Sequence, residues 1–142
     1  LDRTKYPPAK LLEQGAYILW QSGKGRPQFI MIASGSEVSL ALEAAEILAG
    51  EGVNVRVVSM PSWELFERQP EKLRRKVLPP SCKLRLSLEA GVGMGWEKYV
   101  GPKGRIFGLN KFGVSGPYKV LAREFGFTAD NVVRIAREML GK

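Results

Sequence analysis

The chain has 142 residues, 44% hydrophobic and 25% charged, which is ordinary for a globular protein and enough for one domain with a sizeable core. Its formal net charge is +8, and it contains one cysteine and no histidine. The missing histidine excludes Ser-His and Cys-His nucleophile pairs and a zinc site with the usual ligands. No segment approaches the roughly 18 apolar residues of a membrane span. Any enzymatic chemistry is therefore expected to lie mainly outside these residues.

The single cysteine, Cys82, cannot pair within the chain, which favours a reducing compartment, the cytoplasm, over secretion. It precedes an apolar run and is predicted to be a small buried side chain. The first ten residues, LDRTKYPPAK, contain no apolar signal-peptide core and no initiator methionine. We therefore expect a fragment or an excised domain, in which residues 1–13 are a proline-bearing linker.

Lysines and arginines gather in two segments and could attract nucleic acid or phosphorylated metabolites. No nucleic-acid motif and no interleaved aromatic residues accompany this charge. A solvated helix face is therefore the favoured interpretation, and the sequence disfavours a nucleic-acid partner. The basic residues concerned are Arg68, Lys72, Arg74, Arg75, Lys76, Lys98, Lys103, Arg105 and Lys111.

Short apolar runs bounded by glycine and proline predict about five β-strands. The run FIMIA is apolar at every position, which is typical of a central strand in a parallel sheet covered on both faces. The run YILW is short and precedes a turn with two glycines and a proline, so we predict it at an edge of the sheet. The predicted strands span residues 17–20, 29–33, 53–60, 84–88 and 105–109.

Helical patterns occupy the segments between and after these strands. The longest predicted helix follows Ser34-Gly35-Ser36-Glu37, whose S-x-x-E spacing predicts a capping box. Ser62, Ser115 and Thr128 are predicted to cap later helices. The predicted helices run over 38–52, with Gly50 and Gly52 at the end of that helix, over 63–68 and 70–77, from the cap Ser115 to Phe125 and from the cap Thr128 to Leu140, with one further turn around 96–100.

Strands that alternate with helices form βαβ units, so the predicted fold class is α/β. We expect a three-layer α/β/α sandwich with a mostly parallel, mixed sheet of about five strands and right-handed crossovers. Open sheets of this class often bind ligands at the carboxyl edge of the strands. The candidate residues at this edge are Ser34, Gly35, Ser36, Ser62, Glu89 and Gly91.

Two interpretations of this edge remain open. A phosphate or nucleotide regulator could bind at the helix amino terminus after Ser34. The favoured alternative is a helix cap with close packing, because the turn is neither G-x-G-x-x-G nor a P-loop. Glu89 has no titratable partner nearby in sequence, which favours a structural hydrogen bond over acid–base chemistry.

Six aromatic residues fall in the irregular segments between the predicted core elements. Aromatic residues in such positions are frequently anchors of a protein interface. They could equally cover the ends of the sheet within their own domain, and the sequence favours neither interpretation. The six are Trp63, Phe66, Trp96, Tyr99, Phe112 and Tyr118.

The chain contains, in collinear order over nearly its whole length, the strings IASGSEVSLALEAAEILAGEGVNVRVVSMPSWELFERQ, VLPP, SLEAG, W-x-K-Y-V-G (96–101), FGVSGP (112–117) and FGFTADNVV (125–133). These strings resemble the C-terminal domain of transketolase. LDRTKYP resembles the segment that follows the family's middle, pyrimidine-binding domain, so the resemblance places the C-terminal domain over residues 14–142. The one departure is Gly116, where the family more often has alanine.

This resemblance implies a parent enzyme of the pentose phosphate pathway that moves a two-carbon ketol unit from a ketose phosphate to an aldose phosphate. It implies thiamine diphosphate with magnesium or calcium, held in a homodimer between the N-terminal domain of one subunit and the middle domain of the other. The sugar phosphates are expected to bind elsewhere in the parent than in this domain. The family's G-D-G…N motif, catalytic histidines and activating glutamate motif are absent from this sequence. The resemblance thus implies a domain without catalytic, cofactor-binding or metal residues, which supports the dimer and the adjoining domains and is inactive alone. A regulatory small-ligand module is the alternative.

Overall fold

A computed structural model describes residues 9–89, 95–108, 119–121 and 126–142. After a 3₁₀ helix (Ala9–Gln14), the strands are β1 (Tyr17–Gln21), β2 (Phe29–Ala33), β3 (Val55–Ser59), β4 (Arg85–Glu89), β5 (Arg105–Gly108) and β6 (Lys119–Leu121). The helices are α1 (Glu37–Gly50), α2 (Trp63–Glu67), α3 (Glu71–Val77), α4 (Glu97–Val100) and α5 (Ala129–Met139). No helix in these described ranges is long and apolar enough to cross a membrane.

The strands form one mixed sheet in the order β1-β3-β2-β4-β5-β6. β2 lies between β3 and β4 and is parallel to both, which confirms the predicted central strand. β1 lies at the edge, as predicted, and pairs antiparallel with β3. The chain passes from β2 to β3 on one side and then crosses to β4 on the other. The strand order therefore reverses at the boundary between β2 and β4.

Successive side chains of the buried strands point to opposite faces of the sheet and divide the core into two layers. In β2, Phe29 and Met31 pack with α1 and α5, whereas Ile30 and Ile32 pack with α2, α3 and α4. Every residue of β2 and β3 is buried, as expected for strands covered on both faces. The apolar stripe of α1 is buried, with Val38, Leu42 and Leu48 among its members. The three-layer α/β/α sandwich is therefore confirmed.

One predicted helix is wrong over the part of it that the structure describes. Residues 119–121 form β6, a sixth strand parallel to β5, with Val120 opposite Ile106. The helix prediction rested on the cap-like Ser115 and the proline that follows it, but pairing with an exposed sheet edge stabilises the extended backbone more than local propensity favours a helix. The rest of the predicted helix, residues 115–118 and 122–125, lies outside the described residues.

Two of the predicted helix caps are confirmed, and the capping box is wrong. The Oγ of Ser62 accepts from the Leu65 amide at 3.2 Å, and the hydroxyl of Thr128 accepts from the Asn131 amide at the same distance. Ser36 already has helical backbone angles, and its side chain caps no amide. Glu37 is therefore the first helical residue instead of the third, and from that position its carboxylate cannot reach back to a cap.

A buried arginine, Arg56, and a partly buried one, Arg85, join the sheet to the layer that contains α3 and α4. Arg56 on β3 donates to the Gln21 side chain and to the carbonyls that end α3. Arg85 on β4 donates to four backbone carbonyls from the segments on either side. Burial lowers the pKa of both guanidinium groups. These carbonyls therefore have charged donors in place of solvent.

Cys82 lies between α3 and β4 and is 3% exposed, as the sequence predicts. Burial raises the pKa of its thiol. A thiol with a raised pKa holds little thiolate at neutral pH and is a weak nucleophile. The structure thus agrees with a small buried side chain and gives no support to a reactive cysteine.

Replacing Ser87 with alanine should raise the free energy of unfolding by up to about 1 kcal/mol. Ser87 lies in the middle of β4 with no exposed surface, and its Oγ has no hydrogen-bond partner in the described part of the chain. The same change at Ser22 should destabilise by about 1–2 kcal/mol. Ser22 donates to the Val53 carbonyl and accepts from the Val55 amide. Urea unfolding of the two variants should give changes in the free energy of unfolding of opposite sign. A loss of stability on replacing Ser87 would contradict a buried hydroxyl without a hydrogen-bond partner.

Candidate functional site at the carboxyl edge of the sheet

The strongest candidate site lies where the strand order reverses. In open α/β sheets, the loops after the two strands at such a point leave on opposite faces, and a crevice opens between them. Here the loop after β2 leads to α1 on one face, and the chain after β4 leads toward α4 on the other. Ser34 follows β2 and Glu89 ends β4. The Oγ of Ser34 donates to the Glu89 carboxylate at 3.2 Å across this boundary.

An open pocket of about 330 Å³ lies over this boundary. Its lining combines two carboxylates, two serines and two tryptophans, with no lysine or arginine among the described residues that line it. Glu64 pairs with Arg68 at 2.7 Å in solvent, and Ser62 caps α2. The lining residues are Ser34, Met60, Pro61, Ser62, Trp63, Glu64, Glu89 and Trp96.

Three of the predicted edge residues meet in this pocket, namely Ser34, Ser62 and Glu89. Gly35 and Ser36 do not line it. Gly35 is exposed with φ +60°, and Ser36 donates to the neighbouring Glu37 carboxylate. The remaining edge residue, Gly91, lies outside the described residues. Glu89 accepts the hydrogen bond from Ser34, and its structural role stays a prediction.

Aromatic side chains form a cluster beside this pocket. Trp63 and Trp96 meet edge to face with their ring centroids 5.1 Å apart, and Tyr99 lies 6.1 Å from Phe66. Phe66, Trp96 and Tyr99 are buried within the chain, and Trp63 is partly buried. They cover the sheet in the α2–α4 layer, and an additional interface role for them stays a proposal. Phe112 and Tyr118, the other two predicted residues, lie outside the described residues.

A carboxylate joins the helices next to this cluster. The Tyr99 hydroxyl donates to Glu67 at 2.9 Å, and Lys98 lies 3.0 Å from the same carboxylate. The hydrogen bond from Lys98, with the one from Tyr99, lowers the pKa of Glu67. Burial and the Glu67 carboxylate raise the pKa of Tyr99, so its phenol stays protonated. The network binds α2 to α4 and has no free acid–base group at neutral pH.

The stabilisation that Glu67 contributes should depend on pH. Its folded pKa is below the ordinary glutamate value of 4.5, so the contribution is complete above that value and is lost as the pH falls through the folded pKa. Replacing Glu67 with glutamine should therefore flatten the acid side of the stability profile below about pH 4.5. Chemical denaturation across pH 3 to 7 measures this change. The matched variant Glu71→Gln, which removes an exposed pair with Arg75, should lower the free energy of unfolding by no more than about 0.5 kcal/mol.

The strand order and the pocket at the edge of the sheet define a doubly wound α/β domain. Its crevice lies at the carboxyl ends of β2 and β4. The family model of the transketolase-like TK C-terminal domain matches residues 15–128. The chain therefore belongs to the transketolase C-terminal domain family. This result confirms the family that the motifs indicated.

Relatives and solved structures agree with this assignment. The chain is 47% identical over 131 residues to a transketolase of Geobacillus stearothermophilus, covering 92% of this chain and 20% of that protein. It is 49% identical to transketolase 2 of Escherichia coli, covering 93% of this chain and 20% of that one. A Pichia stipitis transketolase solved with sedoheptulose-7-phosphate superposes with a TM-score of 0.77 at 34% identity. The match covers 96% of this chain and 19% of that one. The chain thus spans about a fifth of the length of these relatives.

Proposed function

We propose that this chain is the supporting domain of a transketolase and carries out none of its chemistry. The observation that carries the proposal is the collinear match of residues 15–128 to the C-terminal domain of a family whose members are about five times longer. In this proposal, residues 14–142 are the domain and residues 1–13 are a linker from a pyrimidine-binding domain. The domain packs against the adjoining domains and keeps them in register.

The parent enzyme, in this proposal, is a cytoplasmic homodimer that transfers a ketol unit between sugar phosphates. It uses thiamine diphosphate and a divalent metal, magnesium or calcium. The partners of this domain are the remaining domains of the same polypeptide and the second subunit. Trp63, which is partly buried at the carboxyl edge, is the described aromatic residue best placed to contact such a neighbour.

Thiamine diphosphate does not fit the edge pocket. A diphosphate needs cationic or amide donors, but Glu64 and Glu89 face this pocket, and the described part of its lining has no basic side chain. Among the residues that the structure describes, no group of three or more metal-ligating side chains is close enough to hold a metal ion. We therefore assign no step of ketol transfer to these residues. The same carboxylates disfavour a phosphate or nucleotide regulator at this edge.

An activity and binding assay of the isolated chain tests the proposal. With thiamine diphosphate, magnesium, a ketose phosphate and an aldose phosphate present, the chain alone should show no ketol transfer. Calorimetric titration with the cofactor and metal should give no saturable heat. The transketolase of Geobacillus stearothermophilus serves as the positive control in both measurements. Turnover comparable to that enzyme, or stoichiometric cofactor binding, would overturn the proposal.

A further inference from the structure

An apolar pocket lies beside an outermost strand of the sheet. β1 ends the strand order on one side, so its outer backbone edge pairs with no strand of the described ranges. A pocket of about 190 Å³ lies beside this strand, between the 3₁₀ helix and α3. Natural proteins cover such edges, because unpaired strand groups bind other chains. The residues that line the pocket are Leu11, Gln14, Tyr17, Ile18, Leu73, Lys76 and Val77.

An exposed leucine lies next to the 3₁₀ helix that borders this pocket. Leu65 on α2 is 36% exposed and is one of two large apolar residues exposed in the described ranges, the other being Ile47 on α1. α2 contacts the 3₁₀ helix, and a Cβ on Gly15, which follows that helix, would lie 2.8 Å from the carbonyl carbon of Leu65. The described chain enters the domain at the same place. We call the exposed or partly buried residues Leu11, Ile18, Leu65 and Leu73 the entry surface.

The pocket of the entry surface fits a protein side chain better than a cofactor. Its volume is below the roughly 300–1,000 Å³ of most small-molecule sites. Leucine, isoleucine and valine make up most of the described part of its wall. Lys76, the charged side chain in this part of the wall, makes no ion pair with the described residues. An apolar side chain next to a carboxylate would therefore complement the pocket.

We propose that the entry surface contacts the domain that precedes this one in the parent polypeptide, and that an apolar side chain of that domain, flanked by a carboxylate, fills the pocket. This inference rests on the proposed function. The matched family is a C-terminal domain, and the chain covers about a fifth of its relatives, so most of such a polypeptide precedes it. Residues 1–8, which come before the 3₁₀ helix, span at most about 30 Å when fully extended. The preceding domain is thus tethered beside the entry surface.

The tether selects this occupant over a second copy of the chain. A short linker gives an attached domain an effective concentration on the order of millimolar, without any further contact. A second copy has no such advantage, and a net charge of +8 on each chain opposes its approach. The preceding domain therefore covers the entry surface in the parent enzyme, and the isolated chain leaves this surface open.

Hydroxyl-radical footprinting with mass spectrometry tests the proposal, because it measures how fast individual side chains are oxidised. Leu65 and Ile47 are similarly exposed, at 36% and 39%, so both should be oxidised in the isolated chain. The chain is then grafted onto the Geobacillus stearothermophilus transketolase in place of its C-terminal fifth. Oxidation of Leu65 should be largely lost in the graft, and oxidation of Ile47 should persist. Leu65 oxidised as fast in the graft as in the isolated chain would overturn the proposal.

The same graft separates this proposal from the supporting role. Restored ketol transfer with Leu65 still oxidised would overturn the entry surface and leave the supporting role intact. A protected Leu65 in an inactive graft would support the entry surface and contradict the supporting role. If the graft does not fold, the isolated chain is footprinted with an excess of the truncated enzyme, and an unprotected Leu65 again overturns the proposal. Protection in the isolated chain alone, with a mass above 15.7 kDa, would assign the surface to a second copy instead.

A matched pair of variants locates the contact. Leu65→Lys and Ile47→Lys each add one positive charge at an exposed position, so the urea midpoint of the isolated chain should hardly change. A contact made only by the native domain stabilises it, so the domain should melt at a higher temperature in the graft than alone. Scanning calorimetry should show that Leu65→Lys removes this rise and that Ile47→Lys retains it. If Leu65→Lys unfolds the isolated chain, Leu65→Gln replaces it, and equal melting temperatures of the two grafted variants would contradict the proposed contact.

Discussion

Replacing Arg85 with methionine should lower the free energy of unfolding by about 3–5 kcal/mol. Its guanidinium donates to the carbonyls of Cys82 at 3.0 Å, Tyr99 at 2.8 Å, Leu78 at 3.3 Å and Pro79 at 2.9 Å. These carbonyls belong to the end of α3, the approach to β4 and α4. One side chain thus joins three segments, and methionine fills its volume while leaving the acceptors without a charged donor.

A matched variant distinguishes this role from the general loss of a positive charge. Arg68→Met removes an exposed pair with Glu64 and should change the free energy of unfolding by no more than about 1 kcal/mol. Urea unfolding of both variants beside the unaltered chain gives the comparison. If Arg85→Met lowers the free energy of unfolding no more than Arg68→Met does, the four hydrogen bonds do not hold these segments together.

Replacing Gly15 with alanine should destabilise the chain by about 3 kcal/mol or more. Gly15 precedes β1 with φ +80°, and it packs against the first turn of α2, where its carbonyl accepts from the Ser62 amide at 3.0 Å. A Cβ at this position would lie 2.5 Å from the Ser62 carbonyl oxygen and still closer to the Phe66 amide nitrogen. The added methyl would therefore force α2 away from the start of the sheet.

Gly25 provides the control for backbone conformation alone. It has nearly the same dihedral angle, φ +77°, and a Cβ there would meet nothing within 4 Å. Gly25→Ala should therefore cost only about 1 kcal/mol, the penalty for a left-handed alanine. Thermal or urea unfolding of the two alanine variants measures the difference. Equal losses would show that Gly15 is required for its dihedral angle and not for its contact with α2.

The buried strands and helices of this fold could be predicted from the sequence because each has a hydrophobic pattern of its own. β2 is apolar at every position, and the stripe of α1 follows a helical period, so strand, helix and strand are each recognisable alone. β6 could not be predicted in this way. Its three residues form a strand through pairing with β5, which only the assembled sheet supplies.

The candidate site could be predicted only as far as topology determines it. Residues that follow neighbouring parallel strands meet at one edge, so Ser34, Ser62 and Glu89 were expected to lie together, and they do. The tryptophans and Glu64 that complete the pocket depend on how the following loops direct their side chains, and no spacing in the sequence encodes that direction. The role of Arg85 was hidden for the same reason, since its four acceptors come from separate segments.

Grafting this chain onto a related enzyme is the decisive test of its supporting role. Residues 14–142 would replace the C-terminal fifth of the Geobacillus stearothermophilus transketolase, and ketol transfer would be compared with that of the same enzyme truncated without a graft. We predict that the graft restores most of the activity lost on truncation, and that Glu89→Gln within the graft leaves it unchanged. A graft that folds and binds thiamine diphosphate but stays as inactive as the truncated enzyme, or whose activity disappears with Glu89→Gln, would contradict a purely supporting role.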